Sequence, residues 1–349
     1  MYTREILAPR TSPIENGNPI IGTWNRAFEK VDLLEIRKPY SYLLPRWARD
    51  SRIKECQFFS AQNGEFLLEA IFSNLKLYRM AQVLFYDKKD GKKFVFKKIK
   101  PGTGWQLPLS LANSSVDSHS SGFFFRIHSW LDADTVKLDI NIEANRKRPS
   151  LTAHLAYNVS SQDVTPIAVS LSMAERRILY AYKALAPVRG DMIIGGQRIS
   201  LKQDACSGFF CDYKGFYPYH MQTTICSASG FDEGNRRFGF HIAENQTRET
   251  NKNNENALWV NGKLTPLPPV LITTQNGSDS DWVIQDVEGM VDLKFTPKEQ
   301  NKSGMSLIFT NAEFNAPLGY FNGMLLTSEG ERIQIKNLFG MGEKLNLRV

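Results

Sequence analysis

The chain has 349 residues, 42% of them hydrophobic and 23% charged, and a formal charge of +7. This composition excludes a largely disordered chain, and the length allows two domains of ordinary size or one large β unit. No stretch is apolar for long enough to cross a bilayer as a helix. The N-terminus lacks the apolar centre of a secretory signal, which places the protein in the cytoplasm if Met1 is the native start.

The first module boundary is set by prolines. Pro9, Pro13, Pro19, Pro39 and Pro45 interrupt residues 1–60, which are expected to be irregular and to drape over a first sheet. From Phe66 the strand signals become dense. Residues 66–75 and 78–86 are apolar runs, and an Asp90-Gly91 turn leads into residues 94–99. Much of the positive charge sits here, on Lys88, Lys89, Lys92, Lys93, Lys97, Lys98 and Lys100. Phe94, Phe96 and Ile99 interrupt that run, as in a hairpin whose lysines discourage edge pairing. The run from Lys88 to Lys100 also offers a peripheral contact to an anionic membrane, and nucleic acid is the weaker reading.

Residues 122–130 and 135–142 form the next pair. Val136, Leu138, Ile140 and Ile142 face one way, with Lys137, Asp139 and Asn141 facing the other, so one face is buried and the other wet. Residues 151–159 alternate more loosely. The polar stretch 160–166 is the expected boundary between an N-terminal β module, residues 61–162, and a C-terminal one, residues 163–349. Residues 167–185 are ambiguous. Met173 to Arg177 would suit a helix start, but Ile178, Tyr180 and Tyr182 alternate, and strand is favoured from Arg177. Turns at Gly195-Gly196, Asn261-Gly262 and Ser328-Glu329-Gly330 punctuate the remainder. The pattern predicts an all-β chain with two antiparallel modules, barrels or sandwiches packed together, and little helix.

Standard catalytic signatures are absent. There is no phosphate-binding loop, no dinucleotide fingerprint and no nucleophile elbow. The five histidines lack the spacing of a helical zinc site, so no metal is expected unless distant strands assemble one, and no cofactor is implied. Cys56, Cys206, Cys211 and Cys226 form no Cys-x-x-Cys pair and read as buried thiols, although Cys206 and Cys211 could meet across a turn.

Chemistry is best sought between Cys206 and Trp259, where aromatic and polar residues are densest. Asp212 and Glu255 are candidate proton donors, since a carboxyl among aromatics loses hydration and its pKa rises. His220 and His241 are candidates to orient water or substrate. Tyr213, Phe216, Tyr217, Tyr219, Glu244, Asn256 and Trp259 are candidate ligand-binding residues. Taken singly, each is more readily explained as core, turn or surface.

The stretches "YKALAPVRGDMIIGGQRISL", "CDYKGFYPY", "SASG" and "NENALWVNGKLTPL" resemble a bacterial family known as domain of unknown function 2804. So do "GTWN", "RKPYSYLLPRW", "DLKFTP", "LGYFNG" and "GERIQIKNLFGMGE", in that order along nearly the whole chain. The resemblance singles out Asp212, Gly215, Glu255 and Asn256. The chain departs from the family pattern at Gln222 to Cys226, where a tryptophan-rich strand is usual, and at His241, where Asn is usual. More distantly, the organisation is similar to lipocalin-like proteins that include carotenoid hydratases and cofactor-free cyclases. That likeness implies a small hydrophobic ligand in an aromatic-lined cavity, with hydratase, isomerase or cyclase chemistry. The alternatives are a lipid or pigment carrier and a basic surface module.

Overall fold

The computed structural model describes the chain apart from residues 103–105, 275–279, 308–309 and 349. As expected, it is all-β, and two curled antiparallel sheets pack against each other. Helix is confined, among the described residues, to Arg46–Asp50 and two short turns, and no helix is long and apolar enough to cross a membrane.

The first sheet runs from Lys93–Pro101 through Tyr78–Asp87, Phe66–Asn74, Ile53–Gln62, Ser207–Phe216, Arg177–Ile194, Leu151–Asn158, Thr135–Ile142 and Phe123–Trp130 to Ser114–Ser120. It curls around one core. Val136, Leu138 and Ile140 are fully buried in it, as their alternation predicts. Residues 167–185 resolve as strand on both sides of a tight turn, Ile167–Ala174 pairing with Arg177–Ile194. The irregular N-terminal stretch gives way at Ile53–Gln62, which is a central strand. Before it, Gly22–Trp24 pairs with Ile167–Ala174, and Trp24, Phe28 and Ile36 enter the first core.

The second sheet is built around His220–Phe231 and Arg332–Arg348, which pair with each other. Arg237–Asn245 and Ala257–Val260 follow on one side, and Leu318–Leu326, Val291–Glu299 and Trp282–Gln285 on the other. The strands after the polar stretch 160–166 stay in the first sheet through Phe216, and the chain enters the second sheet at His220. The polar stretch turns the chain within the first sheet and packs on the second. Thr165 N–H donates to Gly262 O (2.9 Å), and Trp259 Nε1–H donates to Thr165 O (2.8 Å). Asn261 and Gly262 both have positive φ, 49° and 81°, as the predicted two-residue hairpin requires. A Cβ on Gly262 would lie 1.9 Å from Asp163 O, so glycine is needed for that approach too.

The lysine-rich hairpin forms as predicted, with Tyr78–Asp87 paired to Lys93–Pro101. Several of its lysines have partners within the chain. Lys93 pairs with Glu299 (2.7 Å), Lys100 donates to His119 O (2.9 Å), and Lys88 lies over the Phe339 ring of the second sheet.

Three apolar clusters join the sheets. One centres on Phe209 and Trp259, one on Tyr86 and Phe339, and one on Leu75, Tyr78, Met221 and Leu347. All four cysteines are free thiols.

Candidate functional site

A cavity lies among these clusters. It has about 870 Å³ of space not filled by protein atoms, open solvent at its mouth included, and residues of both sheets line it: Cys56, Phe58 and Tyr213 from the first, Ile225, His241 and Met341 from the second. A smaller chamber, with about 530 Å³ of unfilled space when open solvent is included, continues it and shares Phe58, Ile71, Phe314, Met341 and Glu343 as walls.

Strand parity decides which candidates reach this cavity. Successive side chains of Ser207–Phe216 point to opposite faces. Phe209, Cys211 and Tyr213 face the second sheet, whereas Phe210 and Phe216 lie in the core of the first. Asp212 shares their direction. It pairs in register with Gln57, accepts a hydrogen bond from Gln57 Nε2 (3.0 Å), and has its pKa raised by burial. Asp212 and Glu255 therefore stand on opposite faces of the strand.

Glu255, just before Ala257–Val260, is at the centre of a buried network. Lys183 Nζ, on the neighbouring Arg177–Ile194, approaches Glu255 Oε2 at 2.7 Å. It also donates to Glu255 O (3.0 Å) and meets His241 Nδ1 at 2.9 Å. Tyr213 O–H donates to Glu255 Oε2 (3.1 Å), and Asn245 Nδ2 donates to Oε1 (2.6 Å). Since Lys183 can only donate, His241 accepts at Nδ1 and carries its proton on Nε2, which lies 3.3 Å from Tyr213 Oη. Burial, with Lys183 alongside, holds the His241 pKa well below its ordinary 6.5. Burial, with Glu255 alongside, holds the Tyr213 pKa well above its ordinary 10.0. At neutral pH the imidazole and the phenol are both uncharged. Tyr213, His241 and Glu255 line the cavity, while Lys183 lies behind them, fully buried.

The other candidates separate by location. Tyr217 lines the cavity. Trp259 is a wall of the inter-sheet cluster, its ring 5.7 Å from that of Phe209. Asn256 is fully buried and holds backbone, accepting from Ala243 N–H (2.7 Å) and donating to Pro268 O (2.9 Å). Glu244 accepts from Ile272 N–H (3.0 Å) beside a separate surface depression. Phe216 packs on Tyr40 in the first core. Tyr219 and His220 are exposed and stack edge to face, and Tyr219 Oη accepts from Arg348 (2.8 Å).

Sequence reasoning passed over Lys183, Glu69 and Glu343. Glu69 and Glu343 line the smaller chamber. Burial, with Glu343 nearby, pushes Glu69 from 4.5 up to about 8, and burial pushes Glu343 up to about 7. Both groups keep protons in the folded chain at pH values where the unfolded chain has lost them. Their contribution therefore makes folding less favourable as pH rises from 4.5 towards about 8. His241 acts in the opposite sense below 6.5, where the unfolded chain binds a proton that the folded one refuses. Glu69→Gln combined with Glu343→Gln removes only the first effect, so urea midpoints of the double variant should fall less between pH 5 and pH 8 than those of the wild type. Identical slopes in the two proteins would contradict raised carboxyls.

A family model described as a domain of unknown function (DUF2804) matches residues 4–348. CghA, in a crystal structure with Sch210972, is similar at a TM-score of 0.56 and 12% identity, covering 88% of this chain and 92% of that one. Another structure of CghA gives 0.54 and 13%, covering 100% and 97%. Kievitone hydratase from Nectria haematococca gives 0.50 and 11%, covering 84% and 88%. At these identities the likeness is one of fold. The search of curated proteins gave no match.

Proposed function

The chain belongs to the domain of unknown function 2804 family, and on that premise we propose that it binds a small hydrophobic molecule between its two sheets and converts it by acid–base chemistry without a redox cofactor. The reaction class is hydration, isomerisation or cyclisation of an unsaturated substrate. One observation carries this reading: an uncharged phenol and imidazole and a carboxylate meet on one wall of a largely apolar cavity, joined by a single buried lysine. Apolar cavities with a few convergent polar groups suit small-molecule binding.

In this reading Tyr213 and His241 touch the ligand or an attacking water. Glu255, a candidate proton donor by its sequence surroundings, acts through Tyr213 in this reading. It pairs with Lys183, accepts from Asn245 and Tyr213, positions the phenol and takes up a proton through it. Phe58, Tyr217 and Phe314 line the cavity, and aromatic rings there can stabilise a cation developing on the ligand. Asp212, on the far face of its strand, has no part. That the fold is shared with a protein named as a hydratase supports the choice of reaction class as analogy only.

The test incubates the protein with a panel of unsaturated isoprenoids and fatty alcohols in heavy-oxygen or deuterated water. Wild-type protein should incorporate solvent oxygen or deuterium into a panel member. Tyr213→Phe should lower that rate by about a hundredfold, the loss of one acid–base group. Binding without conversion would favour a carrier, and a fully active Tyr213→Phe would refute the assignment.

A further inference from the structure

Besides Glu55, which pairs with Lys76, two acidic side chains of this cavity take no part in the Lys183 network. Glu69 comes from Phe66–Asn74 in the first sheet and Glu343 from Arg332–Arg348 in the second, and both line the smaller chamber. The fold provides partners for the other buried acids. Glu55 accepts from Asn74 (2.9 Å) and pairs with Lys76 (3.3 Å), Asp212 accepts from Gln57, and Glu255 has Lys183, Tyr213 and Asn245. Glu69 is 9% exposed, and among the described residues neither it nor Glu343 has a hydrogen-bond or ion-pair partner. A carboxyl left unpaired in an apolar chamber is costly to keep. Here two such groups, one from each sheet, open onto the same space beside Ile71, Met80 and Met341.

We propose that Glu69 and Glu343 hold the protonated amine of an amphipathic ligand whose apolar body lies along Phe58, Ile71 and Met341. This deepens the cavity reading above and rests on it. An ammonium has three N–H donors and no acceptor, which matches two carboxylates with Gln82 and Ser303 at the same wall. Its charge replaces the missing partner of both acids, and no other cation of the described chain is paired with them. A ligand headed by a carboxylate would instead bury a charge with no cation beside it and repel whichever of the two acids is ionised. Burial raises the pKa of both acids, and a bound ammonium would oppose that shift by favouring their ionised forms.

The experiment uses the full chain at neutral pH with Nile red as the cavity probe. Dodecylamine, dodecanol and laurate, each below its critical micelle concentration, compete for the dye. Dodecylamine should displace it at a concentration at least about tenfold lower than laurate, the effect of one favourable charge contact at partial burial. The chain's charge of +7 favours laurate non-specifically, so the expected order runs against the background. In the double variant Glu69→Gln with Glu343→Gln the preference should shrink to about threefold or less. Should that variant fold poorly, Glu343→Gln alone, at a half-buried position, should still weaken the preference. Laurate competing as well as dodecylamine in wild-type protein, or an unchanged preference in the variants, would overturn the proposal. If Nile red binds without any head-group preference, only the amine site fails. If it does not enter at all, the cavity reading fails and takes the amine site with it.

Discussion

Lys183→Met is expected to destabilise the protein by about 3–5 kcal/mol, the usual cost of removing one partner from a buried ion pair. The cause is less the lost attraction than what remains. Glu255 would keep its place at 2% exposure with only Tyr213 and Asn245 to compensate it, and His241 Nδ1 and Glu255 O would lose their donor. Methionine fills similar volume, so packing contributes little to the loss. Adding Glu255→Gln to Lys183→Met should recover part of it, because the uncompensated charge is gone. Urea unfolding of the two single variants and the double variant measures this directly. A Lys183→Met loss below about 1 kcal/mol would mean that the pair is solvated as surface pairs are.

Ile71→Trp is expected to remove ligand binding while keeping the fold. Ile71 is a wall shared by the main cavity and the smaller chamber, on the cavity face of Phe66–Asn74. An indole there extends into open space, so the overpacking cost of about 1–3 kcal/mol seen in filled cores is an upper bound. The same indole occupies the position where both parts of the cavity meet. A hydrophobic probe should lose at least about tenfold in affinity, equivalent to roughly 1.4 kcal/mol.

Much of the fold was legible in local pattern. Alternation at Val136 to Ile142 and the Asn261-Gly262 and Asp90-Gly91 turns are period-two and positive-φ signals, which short segments carry by themselves. The sheet to which a strand belongs is not local. Ser207–Phe216 joins the first sheet because it pairs with Ile53–Gln62, some 150 residues away in sequence, and nothing in either strand announces the partner. The site was legible as a region but not as a geometry. Asp212 and Tyr213 are adjacent in sequence, yet parity sends one to Gln57 and the other to Glu255. Lys183 and Glu69 did leave a signal: each is a lone charge inside an apolar strand run, "YAYKALA" and "FLLEAIF", where a charge must find a partner or a purpose. Glu343 left none, because its strand alternates polar and apolar residues and Glu reads there as solvent-facing.

The proposed function requires a hydrophobic ligand lying between the two sheets. The most direct measurement is a Nile red titration of wild-type protein beside Ile71→Trp, with circular dichroism confirming that both are folded. Saturable binding by the wild type, weakened at least about tenfold in Ile71→Trp, is the predicted result. Equal binding by the two folded proteins, or none by either, would contradict it.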